Sequence, residues 1–388
     1  MIKRKIGLLP RIIIAIILGI GIGTFAPEAL VRLFVTFNSL FSEFLNFIIP
    51  LIILGLVAPS ISDIGNGAGK MLGTTILLAY GATLLSGFLT YGVGEAVFPS
   101  IINTDISMAE ISETSGLDPF FKVGIPAPLS VMTALVLAFT LGLGIAYLET
   151  DYLKNVCNDF KQIIIKTIAA TIIPVLPIYI FGIFLNMTHS GQVYHIITAF
   201  IKIIGVLFIL SMVLLVIQYT VAGILTKKNP LKLLKQMIPV YFTALGTQSS
   251  AATIPVTLHH TIKNGVDEDV ANFVVPLCAT IHLSGSTMKI AGGALALMIM
   301  QGMPYDFAMF SGFIFMLGIT MVAAPGVPSG AIMAALGILS SMLGFDENAQ
   351  ALMIALAIAM DSFGTACNVT GDGALALMIN KWFAKEKR

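Results

Sequence analysis

The sequence predicts an all-α polytopic membrane protein with eight transmembrane helices and two re-entrant helical hairpins. Of its 388 residues, 57% are hydrophobic and only 11% are charged, less than half of the roughly 25% that is typical of soluble domains. Charge-free runs recur along the chain, and a helix needs about 20 apolar residues to cross the hydrocarbon. Two of these runs have a polar or turn-forming centre, which distinguishes them from simple spans.

This composition argues against several other classes of protein. A soluble enzyme and a disordered chain both need more polar side chains than this sequence supplies. The formal net charge of +1 provides no basic field for nucleic acid. The three cysteines, at positions 157, 278 and 367, have neither zinc-site spacing nor a disulfide pattern. We therefore expect no nucleic-acid partner and no cofactor, with the lipid bilayer as the surrounding medium.

The uncharged segments define the predicted spans in chain order. Spans one to seven contain the segments 12–26, 44–62, 71–94, 123–148, 167–201, 203–226 and 270–288, and the last span lies near the C-terminus. Span one is short and follows a basic stretch, so a cleaved signal peptide is the alternative to an uncleaved first helix. With both termini in the cytoplasm, most Lys and Arg residues fall on the cytoplasmic side and the acidic segment 98–122 falls outside.

The segments 236–262 and 307–345 predict the two hairpins. The first has a polar centre at 247–255, and the second has a turn-rich centre at 324–330. Irregular backbone at membrane depth is tolerated only where protein or a water-filled cavity covers it. The arms of the second segment are 16 and 15 residues long, enough for two half-length helices. A single Pro-kinked helix is the alternative, and it suits the first segment better than the second.

An internal repeat supports a paired architecture. The sequence Gly-Ala-Leu-Ala-Leu-Met-Ile at 293–299 recurs 80 residues later at 373–379. Each copy closes a helix that follows one of the predicted hairpins. Repeated hairpin-plus-helix units are typical of transporters whose binding site lies where the helix breaks meet, near the middle of the membrane.

The last span carries the most informative polar residues. Asp361, Thr365, Asn368 and Asp372 are spaced 4, 3 and 4 residues apart, so they share one helical face. A carboxylate within a span costs roughly 2.5–3.5 kcal/mol on insertion scales and must face a cavity or a counter-charge. The Gly-containing segment 368–373 predicts a local unwinding that frees carbonyl oxygens for a cation. A purely structural polar cluster is the alternative.

These motifs resemble those of the dicarboxylate/amino acid:cation symporter family, the homologues of glutamate transporters. The resemblance extends over 11–382 and is most specific at the serine-rich first tip (249–255), the Gly-Val-Pro second tip (326–328) and the polar face of the last span. It implies a homotrimer that works by an elevator mechanism. The scaffold would comprise 1–70 and 123–190, and the transport domain would comprise 71–98 and 196–388.

The resemblance also implies which residues form the binding sites. Asp361 would receive the substrate amine, the second tip would act as an extracellular lid, and Pro255 would open the second arm of the first hairpin. The implied substrate contacts are Gln248, Ser249, Ser250, Ser286, Gly326, Val327, Asp361, Gly364, Thr365 and Asn368. The implied cation contacts are Tyr80, Thr83, Thr280, His282, Asn368 and Asp372.

Three departures from the family pattern change the expected substrate and coupling. The family arginine on the last span is Gly364 here, and the loss of a guanidinium argues against an acidic substrate side chain. In the break of span seven, Ser284 replaces a sodium-binding aspartate and His282 introduces a group that titrates near neutrality. Lys289 is expected either to face Asp361 or Asp372 as a built-in cation or to snorkel to an interface.

The sequence therefore predicts a secondary active transporter of the cell inner membrane for a small neutral amino acid. Its sodium coupling is expected to be weakened or altered, with a proton as the other candidate coupling ion. A sodium-coupled symporter of acidic amino acids or dicarboxylates is the alternative, and a polytopic membrane enzyme or a channel is a more distant one. The sequence does not identify the amino acid or the ion stoichiometry.

Overall fold

The computed structural model describes residues 7–65, 70–102, 117–148, 151–191, 193–324 and 329–383. Within these ranges the regular structure is entirely helical, including one π-helical turn at Ile168–Ile172. The helices are α1 (Leu8–Gly23), α2 (Glu28–Gly65), α3 (Lys70–Ile101), α4 (Val131–Leu148), α5 (Asp151–Thr167), α6 (Ile173–His189), α7 (Val193–Thr226), α8 (Pro230–Gln236), α9 (Ile238–Thr247), α10 (Ser250–Lys263), α11 (Glu268–Ile281), α12 (Ser284–Met300), α13 (Phe307–Ala323), α14 (Gly330–Leu343), α15 (Glu347–Ala359) and α16 (Asp361–Phe383).

The long apolar helices confirm a multi-pass membrane protein. Five helical segments in the described ranges are long and apolar enough to cross a membrane, and the pair α15 and α16, bent by 60°, makes a sixth if it counts as one span. The five are Glu28–Pro59, Lys70–Ile101, Asp151–His189, Ile196–Thr226 and Glu268–Met300. Helices α1 and α4 contain shorter apolar stretches. The count of eight spans stays a prediction.

The two halves of the predicted repeat have the same order of elements. In each half, two short helices pack against each other, α9 with α10 and α13 with α14. A broken helix follows in each case, interrupted at His282 and Leu283 in one half and at Met360 in the other. Both copies of the heptapeptide lie in the second part of the broken helix. The repeat therefore corresponds to a repeated structural unit.

The predicted unwinding at 368–373 is wrong, because α16 is one continuous helix through this segment. Its glycines allow close packing instead. A Cβ atom on Gly371 would lie 2.5 Å from the Gln218 side-chain oxygen, and one on Gly373 would lie 2.6 Å from the Met237 methyl group. Glycine permits both irregular backbone and close approach of a neighbour, and in α16 only the second property is used.

The predicted role of Pro255 is also wrong. Helix α10 begins at Ser250, so Pro255 lies inside the helix and does not open it. Ser249 caps the helix, since its hydroxyl accepts a hydrogen bond from the Ala252 N–H at 3.3 Å. A serine in this position satisfies one of the N–H groups that lack a partner in the first turn. The helix start at the first tip is therefore set by the serines of the motif.

The helices pack as two groups, and this packing positions the polar face of α16. In the first group, α1 packs against α6, and α2 packs against α4, α5 and α6. In the second group, α16 packs against α7, α9, α10, α11 and α12, while α3 packs against α12 and α13. All residues of α12 are buried. The polar face of α16 is consequently enclosed by other helices of the second group.

Candidate functional site

The two short-helix pairs meet at the beginning of α16. Gln248, at the turn between α9 and α10, donates a hydrogen bond to the Ser362 hydroxyl at 2.8 Å. Ser329, which precedes α14, donates its backbone N–H to Asp361 at 3.0 Å. The two short-helix pairs therefore contact adjacent residues of one helix, next to the break at Met360. The other break, at His282 and Leu283, lies further along α16, where His282 contacts Asp372.

The polar face of α16 is buried, as its spacing predicts. Asp361, Thr365, Asn368 and Asp372 all lie among the buried residues of the helix. In the part of the chain that the structure describes, the buried Asp, Glu, Lys and Arg side chains are Lys289, Asp361 and Asp372. Each carboxylate of α16 has a different partner from α12 or from the break before it. The face thus divides into two separate polar clusters.

The first cluster contains an ion pair between α12 and α16. The Lys289 ammonium donates to one carboxylate oxygen of Asp361, and the Ser329 N–H donates to the other. Lys289 is only 1% exposed and Asp361 is 6% exposed. The alternative in which Lys289 snorkels to an interface is therefore wrong. Of the two partners that the sequence left open for Lys289, the structure selects Asp361.

Gly364 provides the space for this ion pair. A Cβ atom at Gly364 would lie 3.1 Å from Cδ and 3.5 Å from Cε of Lys289. The aliphatic part of the lysine therefore passes over the glycine on its way to Asp361. The neighbouring helix therefore delivers a cation next to Gly364, the position at which the resemblance implied that an arginine is missing. The site has not lost its positive charge, in contrast to what the sequence indicated for this position alone.

Asn368 joins α16 to the first turn of α12. Its side-chain oxygen accepts hydrogen bonds from the N–H groups of Gly285 at 2.7 Å and Ser286 at 3.2 Å. Its amide nitrogen donates to the Ser286 hydroxyl at 3.0 Å. The residue that precedes α12, Leu283, has no capping side chain, so Asn368 supplies the cap from another helix. In this structure Asn368 and Ser286 bind each other.

The second cluster surrounds Asp372. His282, at the break before α12, contacts the Asp372 carboxylate through Nδ1 at 2.9 Å. The other ring nitrogen lies 3.4 Å from the Gln218 amide nitrogen, which also donates to the Ser284 hydroxyl at 3.3 Å. These four side chains are buried. When the imidazole is neutral, a proton on Nδ1 and an acceptor at Nε2 satisfy both contacts.

This second cluster has spare acceptors. The second carboxylate oxygen of Asp372 and the side-chain oxygen of Gln218 are buried and have no hydrogen-bond partner within the described ranges. The Thr370 hydroxyl is likewise buried without a partner in these ranges, whereas the Thr370 backbone carbonyl accepts a hydrogen bond from the Tyr219 hydroxyl at 2.8 Å. Unsatisfied buried oxygens cost free energy unless a proton or a cation compensates them. The cluster is therefore suited to take up one positive charge.

Tyr80, Thr83 and Thr280, which were also predicted to bind cations, form hydrogen bonds with groups other than Asp372. The Tyr80 hydroxyl donates to the Phe315 carbonyl at 3.2 Å, and the Thr83 hydroxyl donates to the Ala79 carbonyl at 2.9 Å. Thr280 is exposed, and its hydroxyl donates to the Leu277 carbonyl at 2.7 Å. Of the predicted cation residues, the structure pairs only His282 with Asp372.

The residues predicted to bind substrate are partly assembled. Gln248, in a left-handed conformation with φ of 52°, and Ser249 form the first tip, while Ser250 begins the following helix and is buried. Asp361, Gly364, Thr365 and Asn368 follow one another along α16. Gly326 and Val327 lie outside the described residues. The hydroxyl and amide groups of the first tip and the Lys289–Asp361 pair both lie at the start of α16.

Three contributors were not predicted from the sequence. Gln218 is the amide at the centre of the second cluster, Ser86 donates to the Ser284 carbonyl at 2.6 Å, and Ser329 binds Asp361. A signal existed for Gln218, because it is the single amide side chain in the uncharged run 203–226. Ser86 carried no comparable signal, since hydroxyl groups in membrane helices commonly bond to their own backbone.

Comparison with known proteins agrees with this arrangement. The family model described as "Sodium:dicarboxylate symporter family" matches residues 8–382. A serine/threonine transporter SstT of Acinetobacter baumannii is 28% identical over 385 residues, covering 95% of this chain and 95% of that protein. The protein of the same name from Streptococcus suis is 27% identical over 347 residues, covering 85% and 94% of the two chains.

The match to the family extends over nearly all of the described structure. It includes both short-helix pairs, both broken helices and the two buried clusters on α16. The family and these relatives are transporters, so this protein is a membrane transporter and not an enzyme. The chain belongs to the sodium:dicarboxylate symporter family.

Proposed function

We propose that this protein is a secondary active symporter for a small neutral amino acid with a side chain similar in size to serine or threonine. The relatives named as serine/threonine transporters support this class of substrate. The substrate would lie at the start of α16, where Gln248 and Ser329 contact neighbouring residues. Asp361 would bind the amine, and the hydroxyl groups of Ser249 and Ser250 would bind the carboxylate.

The charge balance of the buried site is the observation that carries this proposal. Lys289 and Asp361 neutralise each other, so Asp372 leaves one uncompensated negative charge when His282 is neutral. A neutral amino acid is a zwitterion and adds no net charge. An acidic amino acid would add a second negative charge to a buried site, which is strongly unfavourable. The balance therefore favours a neutral substrate together with one positive coupling ion.

The coupling ion is proposed to act at the second cluster. One sodium ion beside Asp372 or one proton on the His282–Asp372 pair would cancel the remaining charge. The description of the family supports sodium as the ion. The direct contact of His282 with Asp372 supports a proton, because an added proton on this pair would supply the missing positive charge. In either case one cation suffices, and the sodium dependence is weaker than that of a carrier that binds several ions.

We also propose the elevator architecture for this chain. The packing of α1, α2, α4, α5 and α6 with one another supports a scaffold of 1–70 and 123–190. The packing of α16 against α7, α9, α10, α11 and α12 supports a transport domain of 71–98 and 196–388. In this arrangement eight spans and two re-entrant hairpins place both termini in the cytoplasm, and three protomers form a homotrimer. The hairpins would close the site on its two sides.

A second candidate substrate is an acidic amino acid or a dicarboxylate. The observation that favours it is the Lys289 ammonium, which stands in the space that an arginine on α16 would otherwise use. If Lys289 released Asp361, it would bind a substrate carboxylate. This candidate requires a further cation to balance the added negative charge, and it therefore predicts a steeper sodium dependence.

Uptake into proteoliposomes tests these alternatives. Purified protein is reconstituted with serine inside, and entry of labelled serine is measured against a panel of neutral and acidic competitors. We expect saturable counter-exchange that serine and threonine inhibit and that aspartate and succinate do not. Lys202→Met, which replaces an exposed lysine whose ammonium donates to the Ile101 carbonyl, is the control variant here and in the lysine substitutions below. Inhibition by aspartate or succinate at lower concentrations than serine would contradict the neutral-substrate proposal, and non-saturating flux would indicate a channel.

A further inference from the structure

The Asp361 carboxylate is already occupied by donors from the protein itself. One oxygen accepts from the Lys289 ammonium and the other from the Ser329 N–H. The three groups belong to α12, to the residue before α14 and to α16. The buried ammonium of Lys289 already neutralises the charge of Asp361. In this state Asp361 therefore has no unpaired negative charge with which to bind an amine from outside.

The group on Asp361 belongs to the same chemical class as the substrate amine. A lysine side chain ends in a primary ammonium with three N–H donors, as does the α-ammonium of an amino acid. Lys289 is held by α12, which is buried along its whole length, so its local concentration at Asp361 is high and constant. A free amino acid must compete with this tethered ammonium.

Two features of the surroundings bear on such an exchange. Gly364 lies under the lysine stem, and a Cβ atom there would lie 3.1 Å from Cδ and 3.5 Å from Cε of Lys289, so the glycine lets the stem pass close to α16. The Ser329 hydroxyl is 2% exposed and has no hydrogen-bond partner in the portion of the chain described by the structure. A buried hydroxyl without a partner, beside a carboxylate, is a ready contact for a ligand that carries an ammonium or a hydroxyl group.

We propose that Lys289 is a specificity-determining residue that occupies the ammonium subsite on Asp361 and is displaced when the substrate binds. This inference rests on the proposed transport of amine-bearing substrates. Asp361 exchanges its pair with Lys289 for a pair with the substrate amine. Only the difference in free energy between these two pairs contributes to substrate affinity. Because the zwitterionic substrate adds no net charge, Lys289, Asp361 and the substrate together stay neutral in the loaded protein, and Asp361 keeps an ammonium partner in both states.

The test uses ethylammonium, a primary ammonium without a carboxylate, and measures thermal stability of the purified full-length protein. Lys289→Met removes the tethered ammonium and keeps the length of the side chain. We expect millimolar ethylammonium to raise the melting temperature of Lys289→Met and to leave the wild-type protein unchanged, because a ligand stabilises the fold only where it finds an open site. Tetramethylammonium, which has no N–H donor, is the control cation, and Lys202→Met is the control variant.

A double variant, Lys289→Met with Asp361→Asn, isolates the carboxylate. It should fold and show no response to ethylammonium. If Lys289→Met fails to fold on its own, the folded yield becomes the readout, and ethylammonium in the purification buffers should restore it where tetramethylammonium does not. Equal responses of wild-type and Lys289→Met protein to ethylammonium, or equal yields with both cations, would overturn the inference.

Serine binding separates this inference from the proposed function. Lys289→Met should bind serine about tenfold more tightly or better than the wild-type protein, since the competing hydrogen bond to a charged group is gone. If ethylammonium stabilises Lys289→Met but serine binds neither protein, the ammonium subsite stands and the proposed substrate is wrong. If serine binds Lys289→Met more weakly than wild type, Lys289 contacts the substrate directly and the competitor role is wrong.

Discussion

The ion pair between Lys289 and Asp361 makes a quantitative prediction about stability. Asp361→Asn keeps an acceptor for the Ser329 N–H but leaves the Lys289 ammonium buried without a counter-charge. Removing one partner of a buried pair costs about 3–5 kcal/mol in the free energy of unfolding. Replacing both partners, as in Asp361→Asn with Lys289→Met, is often close to neutral. Each single loss is about 3–5 kcal/mol and the double variant is close to neutral, so we expect a coupling energy of at least about 6 kcal/mol between the two positions.

A double-mutant cycle measures this coupling. The free energy of unfolding is obtained for the wild-type protein, both single variants and the double variant, by titration of detergent-solubilised protein with a denaturing detergent. The single variants should both be destabilised, and the double variant should recover most of the loss. Additive effects of the two substitutions, with a coupling below about 0.5 kcal/mol, would show that the pair is not formed in the folded protein.

Three other variants test neighbouring features of the site. Gly364→Arg should displace the Lys289 stem and weaken neutral amino acid binding at least about tenfold. Unchanged serine uptake by this variant would contradict that expectation. The double variant Gly364→Arg with Lys289→Ala should transport aspartate. Asn368→Ala leaves the first turn of α12 uncapped, so unfolding measurements should show a loss of about 1–3 kcal/mol, and wild-type stability would refute the capping role. If the coupling ion is a proton held by the His282–Asp372 pair, His282→Gln should abolish uptake driven by an imposed proton gradient; an unchanged response to that gradient would exclude His282 as the proton carrier.

The sequence predicted which residues share a helical face, because residue spacing within a single helix determines this. The 4, 3 and 4 spacing places Asp361, Thr365, Asn368 and Asp372 on one face of α16, and the structure buries that face. The turn-rich centre of 307–345 correctly indicated two half-length helices. The heptapeptide repeat likewise marked the second part of each broken helix.

Contacts between helices could not be predicted in the same way. Spacing along α12 leaves Lys289 within reach of either carboxylate of α16, and only the relative position of the two helices selects Asp361. Asn368 has the residue type of a cation or substrate ligand, yet here it caps the first turn of a neighbouring helix. Gly371 was ambiguous because glycine suits both an unwound segment and a close contact, and the position of Gln218 decides for the second.

The sodium dependence of substrate binding tests the central claim that one positive charge completes the buried site. Binding of serine to the purified protein is measured as sodium is replaced by choline at constant ionic strength and fixed pH. The charge balance of Lys289, Asp361 and Asp372 predicts that affinity rises by no more than one order of magnitude per tenfold increase in sodium. If His282 carries a proton instead, affinity should be nearly constant. A steeper rise would mean that several sodium ions bind with the substrate, and it would contradict the account.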